Sequence, residues 1–124
     1  MDRIAWIGLA GALGAISRYK LQGWVNDAIG RPTVLGTFVV NISGAFLLGL
    51  VLALTEDRFL TTGPWRTMLS VGFLGAYTTF STLMFESVDR METGDVATGV
   101  ANVAGSVIIG LIAVYAGLTA GRTI

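Results

Sequence analysis

The chain contains no cysteine and no histidine in 124 residues. Disulfides, thiolate nucleophiles, imidazole metal ligands and imidazole proton relays are therefore excluded. Charge is scarce as well, at 13% of residues, with eight basic and eight acidic side chains cancelling to a net charge of zero. No basic run offers a footprint for nucleic acid. No P-loop, paired-cysteine or nucleophile-elbow pattern is present, so an enzyme is not expected. Proline occurs only twice, as Pro32 in Gly30-Arg31-Pro32 and as Pro64 in Gly63-Pro64, and both sites read as turns.

Apolar and small residues fill the space that these absences leave. The chain is 53% hydrophobic with a mean hydropathy of +0.72, the composition of an integral membrane protein with one small domain. Residues 32–55, 67–85 and 96–121 carry no charge, and each stretch reaches the ~17–25 residues that cross a hydrocarbon core. The first apolar segment, residues 4–17, is shorter and ends before Arg18 and Lys20. It has some features of a secretory signal, with Arg3 as a basic flank and Gly14-Ala15 near a cleavage point. However, Ala-Leu-Gly-Ala is a poor cleavage site, the segment continues through Trp24 and Val25, and Gly8, Gly11 and Gly14 recur every three residues as in closely packed helices. The expectation is a single domain, 1–124, of four transmembrane helices at about 3–25, 34–54, 65–87 and 96–118. The short connections leave nothing for an extramembrane domain, so function must lie within or between the helices.

Orientation follows from the basic residues. The side bearing both termini and the second loop carries Arg3, Arg58, Arg66 and Arg122, and the opposite side carries Arg18, Lys20, Arg31 and Arg90. An even split gives no preferred orientation, and an antiparallel homodimer of dual topology is the natural assembly. Glycine, 17 residues in all, is expected to line helix contacts, with Gly44, Gly49, Gly105 and Gly110 joining the three of the first helix.

The third span is unlike the others. Its middle reads Gly72-Phe-Leu-Gly-Ala-Tyr-Thr-Thr-Phe-Ser-Thr-Leu83, placing Thr78, Thr79, Ser81 and Thr82 around a single aromatic, Phe80. A glycine- and hydroxyl-rich interruption at membrane depth needs protein or a water-filled cavity to satisfy its backbone, and such breaks build ion or substrate sites. In the second span Thr37 and Asn41 share a face, and in the fourth Thr98, Asn102 and Ser106 repeat at the same spacing with Gly110 beyond them. These stripes either line a pathway or hydrogen-bond between helices as glue. All these groups are neutral, and most can donate. A cation path would show acidic side chains, whereas hydroxyl and amide donors beside electropositive ring edges suit a small anion. Arg18 either raises anion concentration at a vestibule or snorkels to the interface.

The chain resembles the small bacterial fluoride channels, the CrcB or Fluc family. The resemblance is carried by Gly11-Ala-Leu-Gly-Ala-Ile-Ser-Arg-Tyr19, by Pro32-Thr-Val-Leu-Gly-Thr-Phe-Val-Val-Asn41 with Gly44 and Gly49, by Gly72 through Thr82, and by the Asn102/Ser106 stripe. These pieces run in order across nearly the whole chain. The resemblance implies an all-α membrane protein whose third helix is broken at mid-membrane, assembled as an antiparallel dual-topology homodimer in the prokaryotic plasma membrane. It implies two pores at the dimer interface that export fluoride passively. Asn41 would donate to the anion, Phe80 would present its ring edge, and Ser81, Thr82 and Ser106 would form a polar track, with Asn102 and Thr37 on the flanking stripes and Arg18 at the vestibule. A structural sodium ion would be held on the dimer axis by backbone carbonyls of Gly75 and Thr78. One position departs from the pattern: Leu83 stands where a second aromatic is often found, and Phe85 is rotated too far around the helix to replace it. A small dual-topology multidrug exporter would need a mid-membrane carboxylate in the first helix, which has none between Arg3 and Asn26. A non-transporting assembly subunit remains the second alternative.

Overall fold

A computed structural model of the chain describes residues 2–57 and 65–124. The expected turn at Gly63-Pro64 and the side chain of Arg58 lie outside the described residues. Among those residues every element is helical: α1 (Arg3–Ile29), α2 (Leu35–Asp57), α3 (Trp65–Thr67), a π-helix (Met68–Leu74), α4 (Gly75–Tyr77), α5 (Phe80–Glu92) and α6 (Val96–Thr123). Three helical stretches are long and apolar enough to cross a membrane: Leu35–Thr55, Trp65–Glu92 and Val96–Thr123.

Local chemistry sets the ends of these helices. Asp2 caps α1 by accepting from the Ala5 amide at 2.9 Å. Gly30 closes it in the left-handed region at φ 85°, its N–H returning to the Asn26 carbonyl. α1 thus runs beyond Val25, the expected boundary, and ends where Gly30 takes that conformation. Similarly, α5 runs past Ser87 to Glu92, and the turn that follows is tight, with Gly94 at φ 97°. Asp95 then caps α6 through the Thr98 amide at 3.2 Å.

α2 and α6 share the most extensive interface. Ala45, Gly49 and Ala53 on α2 and Ala113, Gly117 and Gly121 on α6 each repeat every four residues, so each helix presents a stripe without bulk. A Cβ on Gly49 would run into the Val114 carbonyl, and one on Gly117 would run into the Phe46 carbonyl. In lipid this backbone-to-backbone approach is the main source of helix affinity, since dispersion contacts replace the missing hydrophobic drive. α1 packs against the π-helix and α4. There Gly14 lies under the Phe73 carbonyl, and a Cβ on Gly72 would sit 2.9 Å from that of Ala10. The wide turn of the π-helix swings this part of the chain toward α1. Glycine packing is expected at Gly8 and Gly105 too, but apart from each glycine's own helix no described atom lies within 4 Å of a Cβ built at either. These two face away from the bundle.

Candidate functional site

The helix that begins at Trp65 is interrupted at Thr78 and Thr79, both extended, with ψ of 156° and 113°. α4 therefore ends and α5 begins within two residues. An interruption of this kind exposes the last carbonyls of one helix and the first amides of the next, and each orphan needs a partner. Leu74 meets part of the demand, its carbonyl accepting from both the amide and the hydroxyl of Thr78 at 3.1 Å. Asn41 of α2 meets more of it. Its Oδ1 accepts from the Thr79 amide at 2.8 Å, and its Nδ2 donates to the Thr79 carbonyl at 3.1 Å. The Thr79 hydroxyl caps α5 by accepting from the Thr82 amide at 3.3 Å and donates to the Thr82 hydroxyl at 3.0 Å. Thr79 had not been singled out from Thr78, Ser81 and Thr82; its place immediately before the helical run Phe80 onward was the available signal.

The interruption faces a groove of about 570 Å³ whose wall includes Asn41, Gly44, Gly75, Thr78, Phe80, Leu83 and Ser106, all uncharged. Phe80 is 74% exposed at its rim. Ser106 is 8% exposed, and its Oγ has no hydrogen-bond partner among the described residues. Leu83 is buried and continues the wall, whereas Phe85 is exposed and stands outside it. The amino terminus of α5 borders the groove at Thr79 and Phe80, and the positive end of a helix dipole favours negative charge there.

The other predicted pathway residues are placed elsewhere. Thr37, 1% exposed, accepts from Gln22 Nε2 of α1 at 3.0 Å. Asn102 donates through Nδ2 to Ser87 Oγ at 3.0 Å, and Ser87 in turn donates to the Leu83 carbonyl at 2.7 Å. Both residues join helices, and neither lines the groove. Arg18 is also absent from its wall, and its Nε is buried without a hydrogen-bond partner among the described residues. Ser81 is exposed beside the cap, its Oγ 3.4 Å from that of Thr79. Thr82 is half-buried on the same turn.

Gly75 and Thr78 fit the expected cation ligands in kind. Gly75 lies at the surface, and the extended ψ of Thr78 turns its carbonyl away from the helical direction. Carbonyl oxygens of this type suit a hard cation such as sodium. No cluster of three acidic side chains gathers among the described residues.

A family model described as CrcB-like protein, Camphor Resistance (CrcB), matches residues 5–118. The chain is 42% identical over 124 residues to a protein of Geotalea daltonii named fluoride-specific ion channel FluC, covering all of both chains. It is 44% identical over 124 residues to a protein of that name from Solidesulfovibrio magneticus, covering 100% of this chain and 99% of the relative. A third, from Acidobacterium capsulatum, is 37% identical over 119 residues, covering 96% and 95% of the two chains.

Proposed function

This chain belongs to the CrcB family, and from that premise we propose that it is a fluoride-selective channel through which fluoride leaves the bacterial cytoplasm passively. It is a multi-pass protein of the bacterial plasma membrane and an ion channel, not an enzyme. Four spans cross the bilayer: α1, α2, the interrupted helix from Trp65 to Glu92, and α6. At 27 residues α1 is about 40 Å long, sufficient for a span, with Arg18 and Lys20 reaching toward the interface. The interruption at Thr78 and Thr79 lies at mid-membrane. Two copies pair antiparallel and complete two pores between them, with the exposed face of Phe80, Ser81 and Gly75 turned toward the second copy.

The observation that carries this reading is the interrupted helix itself. It brings the amino terminus of α5 and the ring of Phe80 to a groove with no charged residue in its wall, beside the amide of Asn41 and the hydroxyl of Ser106, which has no partner among the described residues. Amide and hydroxyl donors with a positive dipole end attract an anion, and no charged side chain in the wall repels one. Asn41 uses one Nδ2 proton on Thr79 and keeps a second for the ion. Phe80 offers its positive edge, Ser106 continues the donors along the wall, and Ser81 and Thr82, outside the wall on the first turn of α5, would extend them. The carbonyls of Gly75 and Thr78 would hold a sodium ion, which would supply a fixed positive charge to tie the interruption where the two copies meet. A proton-coupled exporter has no carboxylate to use in this wall.

Fluoride efflux from liposomes carrying the purified protein, followed with a fluoride electrode and with chloride as control, tests the reading. Rapid fluoride release without chloride release is expected. Equal release of both ions, or of neither, would sink it.

A further inference from the structure

We propose that Ser43 and Tyr77 are a positioning pair, and that one turn of α2, Val40 to Gly44, is the template that sets the geometry of the helix interruption. This deepens the channel reading above and rests on it for its functional consequence. Ser43 Oγ donates to the Val40 carbonyl at 3.1 Å and lies 2.9 Å from Tyr77 Oη. A hydroxyl has a single proton, so Ser43 has none left for Tyr77, and the phenol is the donor. Tyr77 is 7% exposed, packed with Val40 and Leu74, its ring stacked on Phe73 at 5.7 Å between centroids. A phenol hydroxyl in such an apolar site needs the partner that Ser43 provides.

Three consecutive residues thereby meet the same turn of α2. Tyr77, the last residue of α4, is tied by Ser43. Thr79, the residue that caps α5, is tied by Asn41 at both its backbone groups. Between them Thr78 fits only because residue 44 is glycine: a Cβ there would collide with Thr78 Cγ2 and lie 3.1 Å from Tyr77 Cδ2. The extended conformation of two residues has no hydrogen-bond ladder of its own to define it. Its two ends are instead anchored to one rigid turn, which fixes how far the carbonyls of α4 stand from the amides of α5. Asn41 holds the far side and Ser43 the near side. Losing the near anchor lets Tyr77 turn about its stacking contact, and the position of Phe80 changes with it.

Four variants test the pair: Tyr77→Phe, which keeps the ring; Ser43→Ala; the two combined; and Ser43→Thr, which keeps the hydroxyl. Two measurements are made on the intact dimer, fluoride efflux and amide hydrogen exchange. Tyr77→Phe and Ser43→Ala are each expected to slow efflux roughly fivefold, the scale of one lost hydrogen bond. Faster exchange should be confined to residues 77–80, the double variant should be no worse than either single one, and Ser43→Thr should match the unaltered protein. Unaltered efflux and exchange in Tyr77→Phe would overturn the proposal. So would effects that multiply in the double variant, or exchange that quickens evenly over all helices. If the unaltered protein carries no fluoride, the channel reading fails, while the exchange pattern still decides whether the pair anchors the interruption.

Discussion

Asn41 makes two hydrogen bonds to the backbone of Thr79, so its loss acts on structure before it acts on any ion. Asn41→Ala leaves the part-buried amide and carbonyl of Thr79 without these partners, at up to about 1–3 kcal/mol for each unsatisfied group. A large drop in thermal stability is expected, together with loss of flux. Ser106 stands in contrast. Its Oγ has no partner among the described residues, so Ser106→Ala removes no bond of the fold. Thermal stability should be unchanged while fluoride flux falls; unchanged flux would remove Ser106 from the pathway. Phe80→Ile keeps bulk at an exposed position and removes the electropositive ring edge, and flux should fall by ~10-fold or more. Leu83 offers no such edge in the wall, and Leu83→Phe should raise flux; flux that stays as it was would mean that one ring per pathway is enough. The sequence makes some of these roles legible and not others. Asn41, Phe80 and Ser106 stand out because polar or lone aromatic groups in an apolar span require explanation, and all three meet at the groove. Thr37 and Asn102 carry the same signature, yet they bond to Gln22 and Ser87 between helices. Residue type and spacing cannot separate a pathway donor from interhelical glue, because both roles need the same chemistry on the same helical face.

At the scale of elements, uninterrupted apolar runs locate the spans, and the hydroxyl-rich run locates the interruption of the third. Helix ends are less legible. Charges at Glu86, Asp89 and Arg90 suggest that the helix ends near Ser87, but charge ends a membrane span without ending a helix, and α5 continues to Glu92. The π-helix over Met68–Leu74 has no counterpart in periodicity; it packs on α1 through Gly72 against Ile7 and Ala10 and through the Phe73 backbone against Gly14. The α2–α6 contact depends on two glycines that face each other's backbones. Gly117→Val should destabilise the bundle by about 1–3 kcal/mol or more, because the Phe46 carbonyl cannot yield as a side chain would. Gly105→Val, on an open face, is the control and should leave the melting temperature unchanged. The cap of α6 responds to pH. The hydroxyl and then the amide of Thr98 hold the Asp95 carboxyl below its ordinary value of 3.8, against a small opposing effect of burial. A depressed folded-state value means that this cap stabilises the helix fully above pH 3.8 and is lost as pH falls through the lower, folded value. The pH dependence of melting below that point should flatten in Asp95→Asn, which keeps an acceptor that does not titrate.

No described residue of one copy closes the groove. Its rim carries the exposed ring of Phe80, with exposed Ser81 and Gly75 close by in sequence, and a lipid acyl chain offers the Ser81 hydroxyl no hydrogen bond. A second copy related by an antiparallel axis would cover them, and that arrangement demands subunits inserted in both directions. The basic residues permit it, four being assigned to each side by the expected topology. The absence of cysteine makes a direct test simple, because a cysteine introduced at Ile124, exposed at the end of α6, is the only one in the protein. In intact cells an impermeant maleimide should label roughly half of Ile124→Cys, and the rest only after the membrane is opened, as an unbiased charge distribution requires. Labelling of all the chains, or of none, in intact cells would show a single orientation and exclude the antiparallel dimer. A second variant ties orientation to transport. Three lysines added after Ile124 bias that end toward the cytoplasm, so the externally labelled fraction should fall and fluoride flux should fall with it. If labelling shifted to one side while flux held, parallel subunits would suffice for the pathway, and the groove would need some other cover.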